Sequence, residues 1–432
     1  MRVVVIGGGF GGLASAARLA KLGHQVTLAE RCDSLGGALT PVEAHGYAWD
    51  GSASYTLLPA VIRDLFRKSG RPLEKEVELV NRPVIREHRF EDDTALTLPG
   101  NSRVAQLEAF DALAPGLGEQ WCDWVSSWAD DWDVIRRGYL ERPWSPEVAG
   151  RDLTRRLLTR ETLHHRLRKT FKDERLRLVA GFPYEFEGHH LRNVPAWLGC
   201  VSYLEQTFGA WTIPGGMSGL AEALTARLAT RGVEVHTRTT ATNLVVREGR
   251  VAAVATDHAE LDADAVVVAV DPRRLPALHP YMQRSMPAIP PMTMYVGLSG
   301  DVPDLAAETV FHGDPTIVVR TGGRAPDCGA AWTLHGRGKV AEDLVTTLVR
   351  YGVDVRDQVR VKLARSPRDL VEKWGGSPEG VMWQGRATIR DRLGPRTPIP
   401  GVYAAGAHAT PGAGLPFVGL SAALVAQAIG PA

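Results

Sequence analysis

The residues with the clearest chemical role lie at positions 7–12, where five of six residues are glycine. They follow an apolar run at 3–6 that suits a buried strand, and they precede residues 13–22, whose pattern favours a helix. A second apolar run at 26–29 ends at Glu30, about 20 residues further on. This is the G-x-G-x-x-G pattern in its strand–turn–helix setting, so the sequence predicts a dinucleotide-binding site.

Each glycine of the pattern has its own physical task. Gly7 permits the tight turn, Gly9 lets the backbone approach a pyrophosphate, and Gly12 lets the helix pack against the strand. The helix N-terminus offers free N–H groups and a positive dipole end to the phosphates. Glu30 is predicted to accept hydrogen bonds from ribose hydroxyls. The alternative is an ordinary Gly-rich turn without a ligand.

Composition narrows the functional class. The 432 residues are 44% hydrophobic and 23% charged, which is ordinary for a globular protein and long enough for two domains. The formal net charge of +1 gives no reason to expect a nucleic-acid partner. No C-x-x-C pair occurs among the four cysteines, so neither a metal site nor a disulfide framework is expected, and a cytoplasmic location fits. The cysteines are Cys32, Cys122, Cys200 and Cys328.

The N-terminus and the apolar runs bear on membrane targeting. The first strand begins almost at Met1, so no signal peptide is expected. No apolar run approaches the length of a membrane span. A contact with one membrane surface stays open as an interpretation.

Periodicity divides the chain into alternating segments. Residues 101–211 favour helices, and the rest mixes helices with strands. The simplest α/β assembly is a Rossmann-like nucleotide-binding domain made of 1–95, 212–275 and 380–432, with a second domain made of 96–211 and 276–379. The predicted elements after residue 211 are helices at 218–229, 340–351 and 417–429, strands at 233–236, 265–270, 294–298 and 316–320, and a hairpin of 244–246 with 251–254.

Several ordered motifs extend the argument beyond the N-terminus. Together they resemble the FAD-dependent oxidoreductases that include bacterial phytoene desaturases, with the flavin amine oxidases as more distant relatives. The resemblance covers nearly the whole chain. It implies a Rossmann-like FAD-binding domain of the GR2 type with a discontinuous inserted α+β substrate domain. The motifs are residues 5–13, Glu30 with Gly36 and Gly37, and residues 47–52, 211–217, 396–407 and 411–416.

The resemblance implies FAD as the cofactor and places residues around it. The glycines at the N-terminus would face the pyrophosphate, Glu30 the adenosine ribose, and the backbone of Ala241 the adenine. Residues at the start of the last helix would lie beside the flavin ring, where the helix N-terminus stabilises negative charge on the reduced flavin. The full predicted set is Gly7, Gly9, Phe10, Gly11, Gly12, Glu30, Arg31, Gly36, Gly37, Ala38, Ala241, Gly406, Ala407, Leu415, Pro416 and Val418.

Three positions depart from the family pattern. Ala38 stands where desaturases commonly have Arg, so Arg31 is the candidate replacement partner for the phosphates. His408 lies two residues before the position at which the family often has histidine, and Phe417 replaces a glycine. These departures weaken the assignment of phytoene as the substrate.

Individual side chains leave alternatives open. Trp121, Trp124, Trp128 and Trp132 share one helix face, which favours a buried core over an aromatic substrate wall. The basic segment 151–177 favours a solvated face over attachment to an anionic membrane.

Histidines offer one candidate catalytic residue. His408 lies in a segment that the resemblance places near the flavin, and histidine is the usual group for proton transfer near neutral pH. The adjacent pairs at 164–165 and 189–190 do not share a helix face, so metal binding by them is not expected.

These observations predict an FAD-dependent dehydrogenase or desaturase that transfers a hydride from an apolar small molecule to flavin N5. Oxygen or a quinone would then reoxidise the flavin. The alternatives are a flavin amine oxidase, an oxidase that modifies a natural product, and a lipid carrier of the same fold without redox chemistry. Intact glycines disfavour the carrier.

Overall fold

A computed structural model describes residues 1–145, 149–326 and 329–432, and Cys328 lies outside this range. The chain forms two main sheets. The strands are β1 (Arg2–Ile6), β2 (Gln25–Ala29), β3 (Val42–Ala44), β4 (Tyr47–Trp49), β5 (Val80–Arg82), β6 (Val84–Arg89), β7 (Ala95–Pro99), β8 (Ala210–Thr212), β9 (Glu234–His236), β10 (Ala241–Arg247), β11 (Arg250–Thr256), β12 (Glu260–Asp262), β13 (Ala265–Val268), β14 (Met292–Ser299), β15 (Glu308–Phe311), β16 (Thr316–Arg320), β17 (Gly329–Arg337), β18 (Val359–Arg365) and β19 (Val402–Ala404).

The helices lie on both sheets and in one continuous segment between β7 and β8. A π-helical turn follows α5. The α-helices are α1 (Phe10–Lys21), α2 (Pro59–Ser69), α3 (Arg103–Leu113), α4 (Leu117–Ser126), α5 (Ala129–Ile135), α6 (Arg151–Leu157), α7 (Leu163–Thr170), α8 (Glu174–Phe186), α9 (Val201–Phe208), α10 (Ser218–Thr230), α11 (His279–Met282), α12 (Leu344–Val349), α13 (Pro367–Trp374), α14 (Ala387–Asp391) and α15 (Leu415–Ile429).

The first sheet has five parallel strands in the order β19-β13-β1-β2-β9. It is buried on both faces, and the alternation along β1 shows why. Val3 and Val5 pack with α1, α10 and α15, whereas Val4 and Ile6 pack toward the antiparallel sheet β10-β11-β12. Three distant segments of the chain therefore supply one doubly covered sheet, and the predicted α/β Rossmann-like fold is confirmed.

The second sheet has seven described strands in the order β18-β14-β17-β16-β15-β6-β7, and within this sheet only the β6–β15 pair is parallel. Its two N-terminal strands, β6 and β7, lie within 84–99, most of which the sequence assigned to the nucleotide-binding domain. Strand pairing therefore favours a boundary near residue 83 rather than 95. The division into two domains remains a proposal.

Helices α3 to α9 form the predicted helical segment and cover the cavity between the sheets. The four tryptophans lie in its core, with Trp121, Trp124 and Trp128 at most 2% exposed. The single predicted face is split between α4 and α5. At the break, the Ser127 hydroxyl donates to the carbonyl of Trp124, a local bond that competes with continued helix.

One predicted helix is much shorter than expected. The pattern at 340–351 predicts about three turns, but α12 spans only Leu344–Val349. Asp343 sets its start because the carboxylate accepts hydrogen bonds from the N–H groups of Val345 and Thr346.

The basic segment lies on α6, α7 and the start of α8. Several of its arginines pair with acids, as in Arg156 with Asp131 and Arg166 with Glu161. Leu157, Leu163 and Leu167 are buried beneath them. Within the described ranges, no helix is both long enough and apolar enough to cross a bilayer.

Replacing Gly12 with alanine tests the close approach of α1 to β1. An added Cβ would lie 1.8 Å from the carbonyl oxygen of Gly7, so backbone must move. We expect Gly12→Ala to lower the free energy of unfolding by about 3 kcal/mol or more, measured on the apo protein by thermal unfolding. Gly322→Ala is the control because that Cβ meets no atom within 4 Å. Equal unfolding temperatures for the two variants would refute the packing argument.

Candidate functional site

A cavity of about 540 Å³ lies between the two sheets, a volume in the usual range for ligand pockets. The C-terminal ends of β1, β2, β13 and β19 open onto it, which is where α/β sheets bind ligands. The N-termini of α1 and α15 also face this space. All the predicted site residues line it except Gly12, which packs beneath the turn, and Ala241.

Three glycine loops meet at the floor of the cavity. A Cβ on Gly37 would lie 2.8 Å from Cα of Gly9, and a Cβ on Gly11 would lie 2.9 Å from Cα of Gly406. A Cβ on Gly9 would meet only Cα of Gly37, at 3.8 Å. Gly9 caps α1 without any side-chain hydrogen bond, and the first turn of α1 holds no acid. This cradle of exposed backbone next to a bare helix N-terminus fits a pyrophosphate.

Glu30 lies where the sequence predicts it, at the end of β2. One carboxylate oxygen accepts from the N–H of Gly8 at 2.6 Å, and the other accepts from the N–H of Cys32 at 2.8 Å. These bonds fix the orientation of the carboxylate, which has about four acceptor sites and so retains capacity for ribose hydroxyls. Its role at the ribose stays a prediction.

Arg31 also lines the cavity, but its guanidinium has other partners. One terminal nitrogen donates to the carbonyl oxygens of Glu372 and Lys373 at the end of α13. That contact satisfies carbonyls that a helix end leaves open. The role of Arg31 as a phosphate partner stays a prediction, and Ala38 supplies no charge beside it.

Ala241 is the first residue of β10 and does not line the cavity. Its residue partner across the hairpin is Thr256. The nearby residue Thr239 donates its N–H to the carbonyl of Glu30. The adenine contact assigned to Ala241 stays a prediction.

The last helix presents a second bare N-terminus to the cavity. α15 begins at Leu415, two residues earlier than predicted, because Pro416 occupies a first-turn position that needs no N–H donor. Gly414 provides no side-chain cap, and the first turn contains no acid. Leu415, Pro416, Phe417 and Val418 all line the cavity. This end of the cavity favours negative charge on a bound ring.

His408 lies in the cavity wall and is 6% exposed. Its Nε2 is 3.6 Å from Oδ2 of Asp271 and has no hydrogen-bond partner among the described residues. Burial lowers the pKa of His408 to about 4, against the opposing effect of Asp271. The imidazole is therefore neutral at pH 7 and able to accept a proton.

Asp271 was not predicted from the sequence. It lies just beyond β13, at the sheet edge, and that position is the signal that would have identified it. Arg273 binds its carboxylate through two 2.8 Å hydrogen bonds. Burial opposes ionisation, but His408 and Arg273 outweigh it and hold the pKa of Asp271 below its ordinary value.

Aromatic side chains form much of the wall contributed by the second sheet and its helices. Trp132 is the one member of the predicted tryptophan face that reaches the cavity, and Tyr184 is held by a 2.7 Å hydrogen bond to the carbonyl of Leu198. Such surfaces favour an apolar ligand. The aromatic residues that line the cavity as a whole are Phe10, Tyr55, Trp132, Phe182, Tyr184, Phe186, Trp197, Trp374, Trp383 and Phe417.

Two acids in the same wall, Glu187 and Glu379, were also missed by sequence reasoning. Burial, with a smaller effect of Glu187, raises the pKa of Glu379 to about 8. Glu379 is therefore mostly protonated at pH 7, which reduces the charge that the cavity carries. Across the described residues, no cluster of three His, Cys, Asp or Glu side chains is arranged to hold a metal ion.

Comparison with known proteins gives a consistent result. The model of the family described as flavin containing amine oxidoreductase matches residues 10–297. A 4,4'-diapolycopene oxygenase from a Methylomonas species is 24% identical over 99% of this chain and 98% of its own length. A 4,4'-diapophytoene desaturase from Staphylococcus aureus is 26% identical, and that match covers 55% of this chain and 48% of the desaturase.

Solved structures share the fold over the whole chain. A putrescine oxidase with putrescine bound has a TM-score of 0.70 at 15% identity and covers 99% of both chains. An oxidoreductase from Methanosarcina mazei has a TM-score of 0.66 at 17% identity, with 99% and 100% coverage.

Replacing Gly9 with alanine separates cofactor binding from folding. The φ of −71° suits alanine, and the added Cβ meets no protein atom closer than 3.8 Å. We expect Gly9→Ala to unfold at the wild-type temperature but to bind FAD at least about tenfold more weakly, because the methyl group lies where the pyrophosphate approaches. Fluorescence titration of apo protein with FAD measures this. Unchanged affinity would contradict the assignment of this loop.

Proposed function

Because the chain belongs to the flavin containing amine oxidoreductase family, we propose that it removes two hydrogens from neighbouring atoms of an apolar small molecule. The chain is an FAD-dependent oxidoreductase, and FAD, when bound, accepts a hydride from the substrate at N5. The proposed removal of two hydrogens rests on one observation. The neutral, buried imidazole of His408 lines the same cavity as the N-termini of α1 and α15.

The residues divide into a binding set and a substrate-facing set. Gly9, Gly37 and Gly406 supply the backbone surface for the phosphates, and Glu30 supplies acceptors for the ribose. The first turn of α15 stabilises negative charge at the ring. Aromatic residues from the helical segment exclude water and hold the substrate, which provides much of the acceleration by positioning.

His408 is the proposed proton acceptor. Dehydrogenation across a carbon–carbon bond releases a proton as well as a hydride, and a neutral, buried histidine can take the proton. Asp271 is a positioning residue that stabilises the protonated imidazole at 3.6 Å. Arg273 in turn keeps Asp271 ionised and oriented.

The relatives support a substrate of carotenoid-like character. The two named above are called after 4,4'-diapolycopene and 4,4'-diapophytoene. The aromatic wall is compatible with a long unsaturated chain, and the protonated state of Glu379 keeps the wall less charged. The proposed electron acceptor is oxygen or a quinone. The proposed location is the cytoplasm, where contact with one membrane surface would deliver such a substrate.

Anaerobic reduction of the bound flavin tests the proposal directly. FAD-loaded protein is mixed with linear polyenes, with alkyl amines and with cyclic alcohols, and the visible flavin band is followed. Bleaching with polyenes supports the proposal. Bleaching with amines alone would assign the protein to the amine oxidases instead, and a protein that takes up no FAD would end the redox assignment.

The pH dependence of flavin reduction tests His408. A base with a pKa of about 4 stays neutral above pH 5, so kcat/KM is expected to be flat between about pH 5.5 and 6.5, below the range in which Glu379 loses its proton, and to fall as pH drops through about 4. Asp271 raises the pKa of His408, so Asp271→Asn should move this acid limb to lower pH. His408→Gln should slow flavin reduction about 100-fold and abolish the limb.

The control for these variants is His165→Gln, on the exposed surface of α7. It should leave both the rate and the profile unchanged. An acid limb that persists in His408→Gln would assign the proton acceptor to another residue.

A further inference from the structure

A row of charged side chains crosses the cavity face of the seven-stranded sheet. Glu308 on β15 pairs in register with Arg320 on β16. It lies one residue before Thr309, which pairs with Glu87, and this places Glu308 beside Arg86 on β6. Opposite charges therefore alternate across three neighbouring strands.

Arg86 is the centre of the row and is 1% exposed. Its Nε donates to Glu308 at 3.2 Å, and Nη2 donates to Glu205 at 2.5 Å and to the Tyr55 hydroxyl at 3.1 Å. The remaining nitrogen, Nη1, is buried and has no hydrogen-bond partner among the described residues. A guanidinium carries five N–H donors, so both hydrogens on Nη1 are uncommitted.

The hydroxyls of the two residues that flank Tyr55 are also buried without a hydrogen-bond partner among the described residues. These atoms are Thr56 Oγ1 and Ser54 Oγ. Ser54, Tyr55, Thr56 and Arg86 all line the cavity. Buried polar groups are normally satisfied, so three unsatisfied ones on residues that line one cavity indicate a ligand group that satisfies them.

The charged residues of the cluster do not belong to the dinucleotide cradle. Arg86, Glu308 and Arg320 project from the second sheet, and Glu205 comes from α9, whereas the glycine loops belong to the first sheet. The charges nearly cancel, with Arg82, Arg86 and Arg320 opposed by Glu205, Glu308 and the nearby Asp50. Uncommitted donors in an almost neutral cluster favour an oxygen acceptor over a free cation.

We propose that Arg86, Thr56 and Ser54 form a specificity subsite for a hydrogen-bond-accepting oxygen of the substrate, a carbonyl or a carboxylate. The substrate is then an apolar molecule that carries an oxygen-bearing end, rather than a pure hydrocarbon. This inference rests on the proposed function and names the substrate class more closely. The apolar body lies along the aromatic wall toward the flavin.

Binding to the oxidised, FAD-loaded full-length protein tests the subsite without turnover. The probes are three linear polyenes of equal length that end in a methyl group, an aldehyde or a carboxylate. Dissociation constants come from quenching of tryptophan fluorescence, since Trp197 and Trp383 line the cavity. We expect one or both oxygenated probes to bind at least about tenfold more tightly than the hydrocarbon.

Variants test which side chains cause the preference for the oxygenated probes. Thr56→Val combined with Ser54→Ala should reduce the preference for the oxygenated probes and leave hydrocarbon binding unchanged, whereas Thr56→Ser should retain the preference. Arg86→Lys keeps the charge but cannot supply Nη1, and it should also reduce the preference. Only variants with the wild-type unfolding temperature and flavin spectrum are compared, and the hydroxyl variants decide the test if Arg86→Lys does not fold.

Two results would overturn the subsite: equal affinity of the wild type for all three probes, or an equal loss for all three in the hydroxyl variant. The probe that binds more tightly identifies the end group as neutral or anionic. Failure of flavin reduction with intact preference would refute the proposed reaction but not the subsite, so the two failures are distinguishable.

Discussion

The structure depends on glycine contacts in which two backbone segments approach so closely that no side chain fits between them. Gly12 lies against the carbonyl of Gly7, Gly37 lies against Gly9, and Gly406 lies against Gly11. These contacts join the turn after β1, the loop after β2 and the loop after β19. The loop after β19 lies hundreds of residues after the other two in the sequence. Because they leave amide groups rather than side chains at the cavity floor, the same packing that closes the fold also makes the surface that is proposed to accept phosphates.

The parts of the fold that the sequence predicts are those governed by local rules. The turn at 7–12, Glu30 and the buried run of β13 follow from residue type and spacing, and the structure has them in place. Arg86 and Glu308 were not predicted because a charged residue in a strand normally marks a solvated face. Only the register of β6 beside β15 converts them into a buried pair, and register between distant strands is not a local property.

The proposed domain boundary at residue 95 likewise rests on the local sequence pattern. Strands β6 and β7 follow the nucleotide-binding segment directly, so nothing local separates them from it. Their partner is β15, more than 200 residues later, and hydrogen bonding to that strand places them in the second sheet. For His408, the position just after β19 was predictable from the local sequence. Its burial and its contact with Asp271 were not, because they depend on the loop at 374–377 that covers both side chains.

The cavity combines two electrostatic environments that suit different steps. Near α1 and α15, bare helix ends favour negative charge and so fit a phosphate and a reduced ring. Elsewhere in the wall, burial lowers the pKa of His408 to about 4, so that the imidazole is neutral at pH 7, and raises the pKa of Glu379 to about 8. A neutral imidazole costs less to bury than a charged one, and although the lowered pKa makes it a weaker base, the contact with Asp271 offsets part of that loss. The low polarity that suits the proposed apolar substrate therefore also keeps the proposed base unprotonated at pH 7.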